Sequence, residues 1–248
     1  MILAWSIVRG FFGFIFLVAW SFFIAACIFV LGSFKLTKIV NIVIHYWVSI
    51  PLKILGIEVQ TFGIENVPRQ SGAIFVFNHQ GIFDILAVHL VADFQIRFGA
   101  KIELFNIPIF GHGMRAAGAL PIVRENRVEV FKVYKEAEVR IANGESFILA
   151  PEGTRQRVPE IGRFKKGPFI FAVNAKAPIL PTVLVGSFEV MPKGALLPNI
   201  GRLKRIIEVH FLKPVETTGK GDAIDQLTES VRVEMKKCFD ERHKLMYP

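Results

Sequence analysis

The sequence predicts an α/β protein: a mostly parallel sheet flanked by helices, preceded by an N-terminal helical segment embedded in a membrane. Three observations carry this. No charge occurs from Gly10 to Phe34; short apolar runs alternate with longer stretches of helical period after Gly56; and the polar residues with chemical potential fall just past the ends of those runs. The 248 residues suffice for one α/β domain of about 200 residues plus an appendage. The division reads as residues 1–56, membrane-associated and helical, and residues 57–248, the α/β domain.

The appendage comes first. Its uncharged stretch is rich in phenylalanine (Phe11, Phe12, Phe14, Phe16, Phe22, Phe23, Phe29), and as a helix it extends about 37 Å, enough to cross a hydrocarbon core with tilt. A second apolar segment, Ile39 to Ile50, is interrupted by His45, followed by Pro51 and Lys53, and short for a span. Two geometries fit: a single crossing with Lys35 and Lys38 as its cytoplasmic flank, or a two-helix hairpin sunk into one leaflet. The hairpin gives both segments a lipid role and is preferred. Ile24-Ala25-Ala26-Cys27 has the form of a lipoprotein cleavage box, but Ile28 to Leu31 continue the apolar run where a processed chain carries a polar tether.

The strands expected next are Ile57 to Thr61, Ala73 to Phe77, Gln95 to Gly99, Ala119 to Val123, Ser146 to Ala150, Ile179 to Val185 and Ile207 to Leu212. Arg127 to Asn143 places Val130, Val133, Tyr134, Ala137 and Ile141 on a 3.6-residue period and stops at Gly144, which predicts a helix. The tail from Asp222 sets Ile224, Leu227, Val231, Met235 and Cys238 on one face and ends among Lys236, Lys237 and Arg242, as an amphipathic helix does. Alternation of this kind makes the sheet largely parallel and covers both its faces, with ligands beyond the carboxyl ends of the strands.

A net charge of +9 favours anionic neighbours: phospholipid head groups, phosphorylated substrates or an acidic carrier protein. Nucleic acid is not expected, since no recognisable nucleic-acid module is present. Two cysteines, Cys27 and Cys238, make neither a disulfide framework nor a metal-binding pattern.

The run Ala73 to Phe77 leads into Asn78-His79-Gln80-Gly81-Ile82-Phe83-Asp84. On one straight helix, five residues separate side chains by roughly 140°, but a strand-to-helix turn brings His79 and Asp84 together. The carboxylate then accepts from one ring nitrogen and leaves the other to take a proton, as in a catalytic dyad. A satisfied structural histidine is the alternative. Beyond other strand ends lie Lys101, Arg124 and Glu152-Gly153-Thr154-Arg155. Converging on one rim, such cations suit phosphate, which guanidinium binds in bidentate fashion and lysine meets as a point charge; Gly153 lets backbone approach a ligand.

Four blocks together resemble the glycerolipid acyltransferases, in particular those acting on 1-acyl-glycerol-3-phosphate (lysophosphatidic acid). They are Asn78-His79 through Asp84, Gly118 through Arg124, Pro151 through Arg155, and Ala177 through Pro181; Phe164-Lys165-Lys166-Gly167 also fits the segment after the third block. The resemblance covers about residues 55 to 215 and implies His79 as the base that deprotonates a lysolipid hydroxyl and Asp84 as its orienting carboxylate. It implies Glu152 and Arg155 as helping to position the glycerol phosphate, with Gly153, Thr154, Arg124 and Lys101 in support. The alkoxide would attack an acyl thioester, from acyl-CoA or acyl carrier protein, at a membrane phospholipid surface on the cytoplasmic side, with no metal or cofactor. Gly81, Gln156 and Ala150 depart from the serine, serine and aromatic that many members carry, which leaves the acceptor open between lysophosphatidic acid, another lysophospholipid and an amino-acid lipid. A non-catalytic lipid-binding protein is the other class. Arg157, Arg163, Lys165 and Lys166 are a candidate docking surface for an acidic carrier protein.

Overall fold

The apolar N-terminus folds back on itself. In the computed structural model, which describes residues 1–69, 71–92 and 96–248, helix α1 (Ile2–Ser33) turns at Phe34-Lys35-Leu36 into helix α2 (Thr37–Leu55). The two run antiparallel: Trp47 Nε1 donates to Ser21 Oγ at 2.8 Å, Trp20 Nε1 donates to the Tyr46 carbonyl at 3.3 Å, and Gly13 leaves room for Leu55. The two helices therefore form a hairpin, and each is long and apolar enough to cross a membrane. The second helix does not stop at Pro51. It continues through the proline to Leu55, because Pro51, Leu52 and Leu55 are all buried and their packing offsets the roughly 3 kcal/mol of an interior proline. Gly56, left-handed at φ +67°, ends it.

Gly56 leads straight into β1 (Ile57–Phe62), then β2 (Ile74–Phe77), helix α3 (Phe83–Val91), β3 (Ile96–Lys101), and helices α4 (Ile102–Phe105) and α5 (Phe110–Ala116). There follow β4 (Leu120–Ile122), α6 (Arg127–Ala142), β5 (Ser146–Leu149), α7 (Gly167–Asn174), β6 (Ile179–Val185), α8 (Ser187–Val190), β7 (Arg205–Phe211) and α9 (Ile224–Met246). Each expected strand is present with ends shifted by a residue or two; Gln95, expected to open β3, lies outside the described residues. Among the described residues the strands form one sheet in the order β1-β7-β6-β2-β5-β3-β4. Every pairing is parallel except β6 with β7.

Alternation along β2 divides the core. Phe75 and Phe77 face α3 and the hairpin residues Leu17, Val48, Leu52 and Leu55, while Ile74 and Val76 face α6, α7 and α9 through Tyr134, Phe169, Phe171, Val231 and Met235. The hairpin's inner face is thus continuous with the core of the sheet. Its outer face is uncovered: Trp5 is 60% exposed, Phe12 65% and Phe23 58%. Surface of that kind on two long apolar helices fits association with a membrane.

Candidate active site

Strands β2, β5, β3, β4 and β6 run parallel, so their carboxyl ends share one rim. At the end of β2 the Asn78 side chain replaces a peptide group. Its Nδ2 donates to the Leu184 carbonyl and its Oδ1 accepts from the Leu184 amide, both at 2.8 Å, so the strand stays zipped to β6 beyond its last paired residue. His79 follows. Its backbone is held on both sides by the segment after β5: its amide donates to Glu152 Oε2 at 3.0 Å, and its carbonyl accepts from the Gln156 amide at 2.9 Å.

Asp84, fully buried in the first turn of α3, accepts from His79 Nδ1 at 2.8 Å and from the amides of Gln80 and Gly81 at 2.8 and 2.9 Å, all on Oδ2. Oδ2 already accepts from two backbone amides, so facing Nδ1 it suits the tautomer that has its ring proton on Nδ1 and its lone pair on Nε2. Gly81 is closely confined, for a Cβ there would lie 2.8 Å from the Ser187 carbonyl oxygen. Serine at this position would need α8 to give way, which accounts for glycine in this chain.

The remaining expected residues stand on the same rim in two settings. Lys101 ends β3 and pairs with exposed Glu103 at 2.7 Å, and Arg124, just past β4, is half-buried and acts electrostatically on that same carboxylate. Thr154 is exposed and Arg155 half-buried, beside Gly153 at φ +74°. Glu152, for which the resemblance implies a part in positioning the acceptor, turns its carboxylate toward neighbouring backbone. It is buried, with Oε2 taken by the His79 amide and Oε1 by the Gly162 amide at 3.0 Å, so its carboxylate fastens the histidine turn to the loop before α7. Burial pushes its pKa up to about 7 against those donors. Lys193, just past α8, went unnoticed in the sequence; its Nζ donates to Thr154 Oγ1 at 3.0 Å and to the Arg155 carbonyl at 3.1 Å. No local motif marks it, since the contact joins residues far apart in the chain.

Beneath the rim, an apolar cavity of about 330 Å³ lies between the hairpin and the sheet. Leu17, Phe22 and Ile28 of α1 form one wall, Ile82, Ile85 and Phe98 another, and Met114 and Ala119 close it from the α5 side. Phe77 links it to the dyad: its ring centroid lies 5.5 Å from that of His79 and 6.0 Å from that of Phe98. His89 lines the cavity, and burial, reinforced by Arg97, brings its pKa down to about 3, which keeps it neutral. Arg97 is itself paired with Glu145 at 3.3 Å. A more open hollow of about 440 Å³, between Gly72, Asn143 and Lys176, lies at the opposite ends of the strands, away from the histidine.

A buried carboxylate orienting a histidine, a cationic rim and an apolar cavity together equip a site to move a proton beside an amphiphile with an anionic head. The acyltransferase family model matches residues 58–185. The chloroplastic 1-acyl-sn-glycerol-3-phosphate acyltransferase LPAT1 of Arabidopsis thaliana is 30% identical over 208 residues, 82% of this chain and 55% of that protein. The bovine (Bos taurus) 1-acyl-sn-glycerol-3-phosphate acyltransferase alpha is 29% identical over 236 residues, 94% of this chain and 81% of that protein. The chain spans about half the length of the first curated relatives it matches, at 55%, 47% and 41%. The crystal structure of the 1-acyl-sn-glycerophosphate (LPA) acyltransferase PlsC from Thermotoga maritima superposes with a TM-score of 0.81 at 24% identity, over 97% of both chains, and so shares the fold. With more than half of its residues inside the family model, this chain belongs to the acyltransferase family.

Proposed function

We propose that this protein transfers a fatty acyl group from an acyl thioester to the sn-2 hydroxyl of 1-acyl-glycerol-3-phosphate, giving phosphatidic acid. The observation that carries the reading is the 2.8 Å contact between His79 Nδ1 and Asp84, on a rim of strand ends that also carries Lys101, Arg124 and Arg155. His79 Nε2 takes the proton of the hydroxyl as its oxygen attacks the thioester carbonyl, and Asp84 stabilises the imidazolium that forms. The tetrahedral intermediate collapses, the carbon–sulfur bond breaks, and the thiolate leaves with the proton from His79. Lys101, Arg124 and Arg155 hold the acceptor's phosphate. Glu152 acts as a positioning residue through the His79 amide, and Lys193 through Thr154 and Arg155. The apolar cavity receives an acyl chain, and the hairpin returns the insoluble product to lipid. The donor is acyl-CoA or acyl carrier protein, and the basic loop with Arg157, Arg163 and Lys165 suits the acidic carrier.

The test is transfer from a labelled acyl thioester to lysophosphatidic acid by purified protein in detergent, with His79→Ala in parallel. Product from the wild type and a loss of roughly 10²–10⁴-fold in the variant are expected. Product formed equally by both would overturn the base assignment, and product from neither, with either donor, would overturn the reaction.

A further inference from the structure

The segment from α8 into β7 is basic, apolar and free of acid. Between Met191 and Ile207 the sequence MPKGALLPNIGRLKRII carries Lys193, Arg202, Lys204 and Arg205, and neither aspartate nor glutamate. Its apolar side chains are held outward, with Leu196 84% exposed, Ile200 45% and Leu203 37%. Loose attachment is not the reason. Asn199 donates from its amide to the Val190 carbonyl at 2.7 Å and from Nδ2 to the Leu55 carbonyl at 2.8 Å. The Gly201 amide donates to Ser6 Oγ at 2.9 Å, and Arg9 grips the carbonyls of Leu203 and Arg202 at 2.5 and 3.1 Å. The segment is therefore fastened to the first turns of α1, where Ile2, Leu3 and Trp5 are exposed. At its other end Lys193 is bonded to Thr154 and Arg155 on the rim of the site.

Single exposed leucines are ordinary on a protein surface. Two leucines and an isoleucine on a fixed frame, interleaved with cations and joined to the exposed start of an apolar helix, match a surface that is oily below and anionic at its edge. We propose that residues 193–204 form a second lipid-contacting element, distinct from the hairpin, that seats on the head-group region of an anionic bilayer. Leu196, Ile200 and Leu203 enter the interface and Arg202 and Lys204 meet lipid phosphates. Because the same segment is tied to Thr154 and Arg155, docking it brings the mouth of the site to the head-group plane, where an amphiphile with an anionic head resides.

The experiment uses the full chain with Cys27→Ser and Cys238→Ala, and Leu196→Cys carrying an environment-sensitive fluorophore. It is reconstituted into phosphatidylcholine vesicles with or without phosphatidylglycerol. Asn143→Cys, exposed at the opposite ends of the strands, is the control. The Leu196→Cys label is expected to shift its emission to shorter wavelength and to be quenched by spin-labelled lipid, more strongly with phosphatidylglycerol and less at high salt. The Asn143→Cys label stays accessible to iodide in water. Adding Arg202→Glu and Lys204→Glu removes the phosphatidylglycerol-dependent part at least severalfold, since each basic residue near an anionic surface is worth roughly fivefold in affinity. A label at 196 that reads as water-exposed in both vesicles, or charge reversal without effect in a protein whose melting in detergent is unchanged, overturns the proposal. Neither readout depends on turnover, so failure of the acyl-transfer assignment would be seen separately.

Discussion

His79 and Asp84 meet through one carboxylate oxygen that also receives the amides of Gln80 and Gly81, so the two residues fail in different ways when changed. His79→Ala removes the proposed base and leaves those backbone bonds intact, and its melting temperature is expected to stay close to that of the wild type. Asp84→Asn loses the carboxylate proposed to orient His79 and also disturbs the turn, so the proposed turnover is expected to fall and stability to drop by on the order of 1–3 kcal/mol, measurable by denaturant titration. Glu152 sets a pH dependence. Its pKa is raised to about 7 from 4.5 in the folded protein, so between those values the native state holds a proton that the unfolded chain has released. Its contribution to stability is therefore full below about pH 4.5 and is lost as pH rises through 7. Glu152→Gln, which keeps an acceptor oxygen but does not titrate, should flatten that slope in melts taken across the window. Glu145 and Glu208 act in the other direction and at lower pH: burial alone would raise their pKa values, but pairing with Arg140 and Arg97, and with Arg242 and His210, lowers them. The contact of His79 with Asp84 was legible in the sequence because both lie in one turn. The inward use of Glu152 was not, since its partners His79 and Gly162 come from different loops and nothing in Pro151-Glu152-Gly153 announces them.

Elements with strong periodicity, such as α6, were readable nearly to the residue. Its start is fixed by Asn126, whose side chain accepts from the amides of Val128 and Glu129. The strands were readable as buried apolar runs, but the antiparallel sense of β7 was not, because a run buried on both faces carries no sign of its direction. Helix α5 had no signal at all. Gly111 and Gly113 lower its intrinsic helicity, and its reason for existing is tertiary: Gly113 lets it lie against α1, where an added Cβ would come within 2.6 Å of the Ala25 carbonyl oxygen. Gly113→Val should force the two helices apart and cost about 1–3 kcal/mol as overpacking does. Thermal unfolding in detergent would register the loss, and an unchanged midpoint would show that the contact is dispensable.

At the scale of the molecule, hairpin and sheet are interdependent. Leu17, Val48, Leu52 and Leu55 belong to the core that also holds Phe75 and Phe77. At roughly 1.5–3 kcal/mol for each buried side chain, their removal is comparable with the 5–15 kcal/mol that holds a typical domain together. Residues 57–248 expressed alone are therefore expected to aggregate or to lose cooperative melting, which circular dichroism would report. A soluble fragment with a sharp transition would contradict the shared core. The same arrangement bears on the cavity, which has one jaw on the sheet and the other on α1, a helix whose far side carries Phe12 and Phe23 outward. The cavity proposed to receive an acyl chain is thus walled by a helix whose other side is turned outward, where lipid can press on it. Lateral pressure on α1 is therefore expected to alter the gap, so that the ranking of acyl chains measured in detergent differs from the ranking in bilayers; identical rankings would contradict this. On the proposed function, selectivity then belongs to the pair of protein and membrane, and a change of lipid resets it.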